Sequence, residues 1–263
     1  MGALTADSNT EPAQPLSKVV DINRSHLSQL YANLHPVLLL SLVFLSFARL
    51  VSDPVNTLHG LVPITAVLQA TYCVVCLPST GQTAPSPSNK PGQKKKAAKS
   101  SQGVLGKVVV CSNKHMDSCR LHTLTPQLQP VLFSFVLTLT LSLPILYIIV
   151  ILFGAPLTTH HAHTLLLALH LALLTTPQLF YVHGLDAPKW LQVVSLQLPI
   201  DEIYGMSLGA CVGAWVGAIP IPLDWDREWQ KWPVTIIVGL YVGAVVGKLA
   251  GGYLFRGLKI KLS

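Results

Sequence analysis

Long apolar runs separated by polar stretches dominate this 263-residue sequence. Each run is long enough to cross about 30 Å of hydrocarbon as a helix that rises about 1.5 Å per residue. The runs cover residues 34–51, 55–77, 131–153, 163–182, 203–223 and 234–255. Internal prolines and glycines are compatible with packed membrane helices. The pattern therefore predicts an all-α polytopic membrane protein with about six transmembrane helices.

The polar stretches divide the chain further. Residues 78–130 are rich in Pro, Ser, Gly and Gln and contain the basic run Lys94–Lys99. Such a composition cannot bury a core, so we expect a disordered loop held at an acidic lipid surface rather than a nucleic-acid site. The predicted division is a polar N-terminal segment (1–33), two helices (34–77), the basic loop (78–130), four helices (131–255) and a basic tail (256–263).

Composition excludes a soluble enzyme. Hydrophobic residues make up 51% of the chain and charged residues only 11%, against about 25% in soluble domains. The mean hydropathy is +0.52. The first thirty residues contain no apolar stretch typical of a cleavable signal, so we expect the first span to direct insertion.

The basic residues predict an orientation. With six spans, fourteen Lys and Arg residues fall on the side that holds both termini, and three fall on the other side. Because cytoplasmic loops carry the excess of Lys and Arg, both termini are expected in the cytosol. Lys259 and Lys261 then match a cytosolic dilysine signal for retrieval to the endoplasmic reticulum (ER), although an ordinary basic flank would look similar.

The last two predicted spans each carry a glycine at every fourth position. This spacing places each set on one helix face, where it allows another backbone to come close. The simplest interpretation is an antiparallel hairpin in which the two ridges pack together; the alternative is that one ridge contacts a partner subunit. The ridges comprise Gly205, Gly209, Gly213, Gly217, Gly239, Gly243, Gly247 and Gly251.

The loop between these spans is expected to be lumenal, and it concentrates acids and tryptophans. Tryptophans in such a loop typically lie at headgroup depth, with Arg227 and Lys231 neutralising the acids. The alternative is a metal site at Asp224 and Asp226. The signature residues are Asp224, Trp225, Asp226, Arg227, Trp229, Trp232 and Pro233.

Lys248 is a charge that lies several residues inside a predicted span rather than at its end. Lys248 is expected to pair with Asp201 or Glu202 at the start of the preceding span, and the alternative is a contact with a phospholipid headgroup.

Other residues that often carry chemistry are interpreted as structural. The histidines between positions 160 and 170 lack neighbouring acids that would complete a metal site, and Cys73 and Cys76 are interpreted as packing residues. No catalytic, metal or cofactor site is predicted.

The stretch 213–233, which reads GAWVGAIPIPLDWDREWQKWP, resembles the signature of the Pig-F family of glycosylphosphatidylinositol (GPI) anchor biosynthesis proteins. The resemblance is most specific over 203–255 and extends from about residue 131, whereas the first two spans fit by hydropathy alone. The chain is similar to a fungal-type member with an extra lysine-rich loop.

The resemblance implies a multi-pass protein of the ER membrane that is not itself an enzyme. It implies an accessory subunit that stabilises a large catalytic GPI ethanolamine-phosphate transferase, which adds phosphoethanolamine to mannose of the GPI precursor. Membrane lipids, including the GPI precursor or phosphatidylethanolamine, are further possible partners.

Two other functions fit the residues. One is a polytopic lipid phosphotransferase that uses the acidic loop, and the other is a lipid transporter or scramblase with Lys248 and the histidines in a polar path. The scarcity of further charges inside the spans argues against a transporter.

Overall fold

The computed structural model describes residues 19–23, 25–80, 128–223 and 225–259. Most of the expected disordered loop, Asp224 and Lys261 lie outside these ranges. Within them the regular structure is entirely helical, which confirms the all-α class.

Seven helices account for most of the described chain. Helix α3 contains a π-helical stretch at Thr138–Ser142, α4 is interrupted at Thr176, and α7 ends in a π-helical turn at Ala250–Leu254. The bounds are α1 His26–Ser52, α2 Pro54–Cys76, α3 Leu128–Leu152, α4 His161–His183, α5 Ala187–Val194, α6 Glu202–Ala218 and α7 Val234–Leu254.

Five of these helices, α1 to α4 and α7, are long and apolar enough to cross a membrane. Helix α6 has 17 residues and ends at Ala218, because residues 219–222 form turns rather than the continued helix that the sequence predicted. The total of six spans stays a prediction. Helix α1 begins eight residues before the predicted position 34.

Helix α4 forms the centre of the bundle. Buried residues make up 83% of its most apolar window, compared with 17% for α3, which therefore lies at the periphery. A single residue, Asp53, connects α1 to α2 and caps α2 by accepting hydrogen bonds from Asn56. These hydrogen bonds hold the pKa of the Asp53 carboxyl below its usual value.

One end of the bundle gathers several segments that are distant in sequence, and we call it the terminal end. There the Asn23 amide donates to the Cys76 carbonyl (2.9 Å), and Thr80 donates to Tyr181 (3.1 Å). Ile200 and Gly257 are joined by a 2.8 Å backbone hydrogen bond from the Gly257 amide. The first and last described segments therefore lie at the same end, whereas the loop 219–233 lies at the opposite end, which we call the loop end.

Helices α6 and α7 pack with their backbones in direct contact. A Cβ built on Gly209 would lie 2.6 Å from Cα of Gly247, and one built on Gly213 would lie 2.7 Å from Cα of Gly243. Real Cβ atoms essentially never approach other atoms this closely. Both glycine ridges therefore face each other in an antiparallel hairpin, which consists of α6, residues 219–233 and α7.

This contact suits a bilayer. Lipid tails are as apolar as leucine, so membrane helices gain little from hiding apolar side chains and associate mainly through close van der Waals packing. Removing the side chains along both ridges brings many backbone atoms into range of that attraction.

We predict that Gly213→Ala destabilises the protein by about 1–3 kcal/mol, because the added methyl group must push the two backbones apart. Gly60→Ala is the matched control, since Gly60 lies in α2 and a Cβ there meets nothing within 4 Å. Unfolding in mixed detergent, followed by circular dichroism, measures both variants. Equal stability of the two would contradict the contact.

Candidate functional site

A shallow groove of about 390 Å³ runs along the outer side of the hairpin, and we call it the hairpin groove. Its floor is formed by the glycine ridges, and its walls include Val212, Val216, Val242 and Val246. Val212 and Val246 are each 58% exposed, and the groove surface is almost wholly apolar. The groove therefore presents an unfilled apolar face at the level of the membrane.

The loop of the hairpin is organised by Gln230. Its side-chain amide donates to the carbonyls of Pro220 (2.7 Å) and Leu223 (2.8 Å), and its oxygen accepts from the Arg227 amide (2.9 Å). The rings of Trp225 and Trp229 lie 5.8 Å apart. The signature loop is thus a folded turn that exposes aromatic side chains at the loop end.

The acids of this loop do not assemble a metal site in the described structure. Asp226 is exposed with a φ of +48°, and Glu228 forms an ion pair with Lys231. Across the described ranges, no group of three His, Cys, Asp or Glu side chains is placed to hold a metal ion. Asp224 lies outside those ranges, and the side chain of Arg227 makes no ion pair within them.

Lys248 has a different partner from the one predicted. It is 3% exposed, and its Nζ donates to the backbone carbonyl of Ala32 in α1 at 2.9 Å. Residue 36, which would normally supply the helical N–H to that carbonyl, is a proline. Lys248 therefore satisfies the acceptor that Pro36 leaves open.

The predicted ion pair of Lys248 with Asp201 or Glu202 is wrong. Neither pair is among the ion pairs of the described residues, although Glu202 attracts Lys248 over a longer distance. Asp201 instead caps α6 by accepting from the amides of Ile203 and Tyr204, and it also accepts from the Val20 amide. A free carbonyl next to the lysine was a closer partner than either carboxylate.

An aromatic ring lies against this lysine. The Tyr72 ring centroid lies 4.1 Å from Lys248 Nζ, a cation–π distance. His35 stacks on Tyr72 with ring centroids 4.7 Å apart. Pro36 and His35 made the first span look irregular in sequence, and they are both buried next to the lysine that compensates for the irregularity.

A second buried polar network crosses three helices. Tyr241 Oη lies 2.6 Å from Thr65 Oγ1 and 2.8 Å from His170 Nδ1, while His170 Nε2 lies 3.1 Å from the Leu58 carbonyl. The carbonyl can only accept, so Nε2 carries the proton and Nδ1 accepts from Tyr241. Thr65 must then donate to Tyr241, so the hydrogen bonds run in one direction.

Within the described ranges, the remaining candidate residues do not form one cluster. His160 and His163 contact each other edge to face at the loop end, whereas the buried His170 lies about two helical turns further along α4. Cys73 and Cys76 are buried, and the Cys76 thiol donates to the Ser28 carbonyl at 3.4 Å. Lys259 of the retrieval pair is exposed, and Lys261 lies outside the described residues.

One helix at the terminal end of the bundle was missed in the sequence analysis. Helix α5 lies between the predicted spans 163–182 and 203–223, where no helix was predicted. Its signals were present, since Asp186 precedes it and Pro188 occupies its first turn, both typical of a helix start. The Trp190 indole donates to the Gly184 carbonyl at 2.8 Å and holds the helix against the end of α4.

The fold and these contacts define a polytopic all-α membrane protein that carries a glycine-faced hairpin with a folded acidic, tryptophan-rich loop. A model of the GPI biosynthesis protein family Pig-F matches residues 34–252. The chain belongs to this family. The match includes the first two helices, which the signature alone did not reach.

Curated relatives agree with the family match. The chain is 42% identical to glycosylphosphatidylinositol anchor biosynthesis protein 11 of Neurospora crassa over 242 residues, which cover 91% of this chain and 80% of the relative. It is 39% identical to the protein of the same name from Aspergillus fumigatus over 250 residues, covering 90% and 83%. No solved structure matches.

We predict that Lys248→Met destabilises the protein less when Pro36 is replaced by alanine. In Pro36→Ala the amide of residue 36 can bond the Ala32 carbonyl, so the carbonyl no longer needs the lysine. A double-mutant cycle measured by detergent unfolding should show a coupling of about 1 kcal/mol or more. Additive effects, or coupling to Glu202→Gln instead, would contradict the assignment.

We further predict that Tyr241→Phe costs about 1–2 kcal/mol, because Thr65 and His170 both lose a partner inside the membrane. Tyr147→Phe, on the peripheral helix α3, is the control. Thermal unfolding of both purified variants provides the comparison, and equal midpoints would show that the network adds no stability.

Proposed function

We propose that this chain is a non-catalytic accessory subunit of GPI-anchor biosynthesis, which holds and stabilises a large catalytic GPI ethanolamine-phosphate transferase. The supporting observation is the hairpin groove, a built apolar depression on the membrane-facing side of a Pig-F family protein. The transferase would use the chain as a membrane platform while it adds phosphoethanolamine to mannose of the GPI precursor.

The shape of the groove supports a transmembrane helix as its occupant. Glycine backbones on the floor allow a third helix to approach closely, which is the condition for strong van der Waals packing in lipid. The flanking valines provide β-branched walls that lose little side-chain freedom on contact. The ridges themselves are already used in the hairpin, so the partner would contact their edges.

The two ends of the bundle would then have separate roles. We propose that the loop end is lumenal and lies under the catalytic domain of the partner, with Trp225 and Trp229 at headgroup depth. The terminal end would face the cytosol, in agreement with the distribution of Lys and Arg. Lys259 and Lys261 would act there as the ER retrieval signal.

The groove walls offer a sharper test than the glycines. Replacing Gly209 or Gly213 with leucine would separate α6 from α7 and unfold the hairpin, whatever the partner does. Val212→Trp instead fills the groove from an exposed wall position. Leu45→Trp is the control, because Leu45 is exposed on α1 and does not line the groove.

We predict that Val212→Trp lowers the amount of transferase that co-purifies in mild detergent by about tenfold, equivalent to about 1.4 kcal/mol of binding free energy. Leu45→Trp should leave it unchanged, and both variants should keep the unfolding midpoint of the parent chain. GPI precursors that lack phosphoethanolamine should accumulate only with Val212→Trp. Unchanged co-purification would overturn the docking surface, and phosphoethanolamine transfer by the purified chain alone would overturn the non-catalytic role.

A further inference from the structure

A polar pocket of about 380 Å³ opens at the terminal end of the bundle. It lies where the segment 19–23 and the first turns of α1 meet the start of α6 and the end of α7. Unlike the hairpin groove, its surface is mainly polar. Nothing in the proposed docking role uses it.

The charges around the pocket are unbalanced among the described residues. Three carboxylates line it, from Asp21, Asp201 and Glu202, against the single guanidinium of Arg256. Arg256 is paired with Asp21, and the Asp201 carboxylate accepts three backbone amides. Neither Asp201 nor Glu202 has an ion pair among the described residues. Because the Asp201 carboxylate already accepts backbone amides, the Glu202 carboxylate is the one left without a contact partner there, and Lys248 and Arg256 act on it only over a longer distance.

Glycine fixes where that carboxylate lies. A Cβ on Gly252 would meet Glu202 Cγ at 2.7 Å and Oε1 at 3.2 Å, so the side chain of Glu202 passes over Gly252 of α7. Lys248 donates instead to the Ala32 carbonyl at the pocket wall. The lysine that the sequence paired with Glu202 is therefore hydrogen-bonded elsewhere, and it attracts the carboxylate only over a longer distance.

The rest of the lining fits a cation that carries N–H groups. Tyr253 lines the pocket with an exposed ring, whose face attracts a cation. The carbonyl oxygen of the Asn33 side chain can accept a hydrogen bond, and Arg256 keeps guanidinium N–H groups to donate to a phosphate. We propose that the pocket binds the headgroup of an ammonium-bearing phospholipid, with the ammonium on Glu202 and the phosphate at Arg256.

The surface below the pocket explains why the ligand is a lipid. Gln29 and Asn33 line the pocket, and the same face of α1 continues into the exposed side chains of Val37 and Phe44. Phe44 lies about 16 Å below Asn33 at 1.5 Å per residue, close to half the hydrocarbon thickness. A headgroup in the pocket can therefore extend an acyl chain along α1.

Glu202 also selects among headgroups. A primary ammonium donates up to three hydrogen bonds, whereas a trimethylated ammonium such as choline donates none. A charge-assisted hydrogen bond is roughly twice as strong as a neutral one, so the carboxylate favours ethanolamine-type over choline-type headgroups.

The test uses the full chain in lipid nanodiscs. Two photoactivatable phospholipid probes carry the same diazirine-labelled acyl chain and differ only in the headgroup, ethanolamine or choline. We expect the ethanolamine probe to label the peptides that contain residues 29–44 about fivefold more than the choline probe, a ratio that corresponds to about 1 kcal/mol. Mass spectrometry locates and quantifies the adducts.

Two variants assign the effect. Glu202→Gln should reduce labelling by the ethanolamine probe to the choline level, whereas Glu228→Gln in the exposed loop at the other end should leave it unchanged. Tyr253→Leu is a second pocket variant at an exposed position, for use if Glu202→Gln does not fold, and it should lower labelling as well.

Several outcomes would overturn the proposal. Equal labelling by the two probes, as expected if a cation of the chain itself neutralised Glu202, would remove the headgroup assignment. Full competition by soluble phosphoethanolamine would show that the acyl chain makes no contribution. The labelling and co-purification measurements are independent. If a pocket variant loses lipid labelling while transferase co-purification is unchanged, the proposed docking role still holds.

Discussion

Direct backbone contact between α6 and α7 is the constraint on which the other features depend. It holds α6 and α7 so close together that no side chain fits between them, and it creates the groove along their outer edge. It folds residues 219–233 into a turn held by Gln230. At the other end it brings Gly252 against Glu202 and thereby shapes the polar pocket. The close packing of these small residues therefore shapes both the hairpin groove and the polar pocket.

Two polar side chains inside the bundle donate hydrogen bonds to backbone carbonyls of a neighbouring helix. One of these carbonyls lacks its own helical donor, and the other gains a second donor. Lys248 completes the carbonyl left open by Pro36, and His170 adds a second donor to the Leu58 carbonyl. Because unsatisfied backbone groups are costly in hydrocarbon, these contacts connect α1 and α2 to α4 and α7. The contact of Lys248 with Ala32 explains how α1 accommodates Pro36.

Hydropathy was enough to locate the six long apolar helices, although not their exact ends or the short helix α5, and glycine spacing was enough to identify the face that packs. Both signals are local and repeat along one helix. The partner of Lys248 was out of reach, because Ala32 lies 216 residues away and its carbonyl carries no side-chain signature. The chemistry of Pro36 was the available clue, since a missing N–H always leaves an acceptor four residues earlier. The pocket needed four separate segments to be brought together, which no spacing along the chain indicates.

The hydrogen bond between Lys248 and Ala32 can form only after both helices have been synthesised. Helix α1 leaves the ribosome long before α7, and the 216 residues between the two partners take roughly 10–45 s to synthesise at about 5–20 residues per second. During that interval the Ala32 carbonyl sits in a newly inserted helix without its lysine. Helix α1 therefore enters the membrane with this carbonyl unpaired, and α7 supplies its partner only after the 216 residues between them have been synthesised.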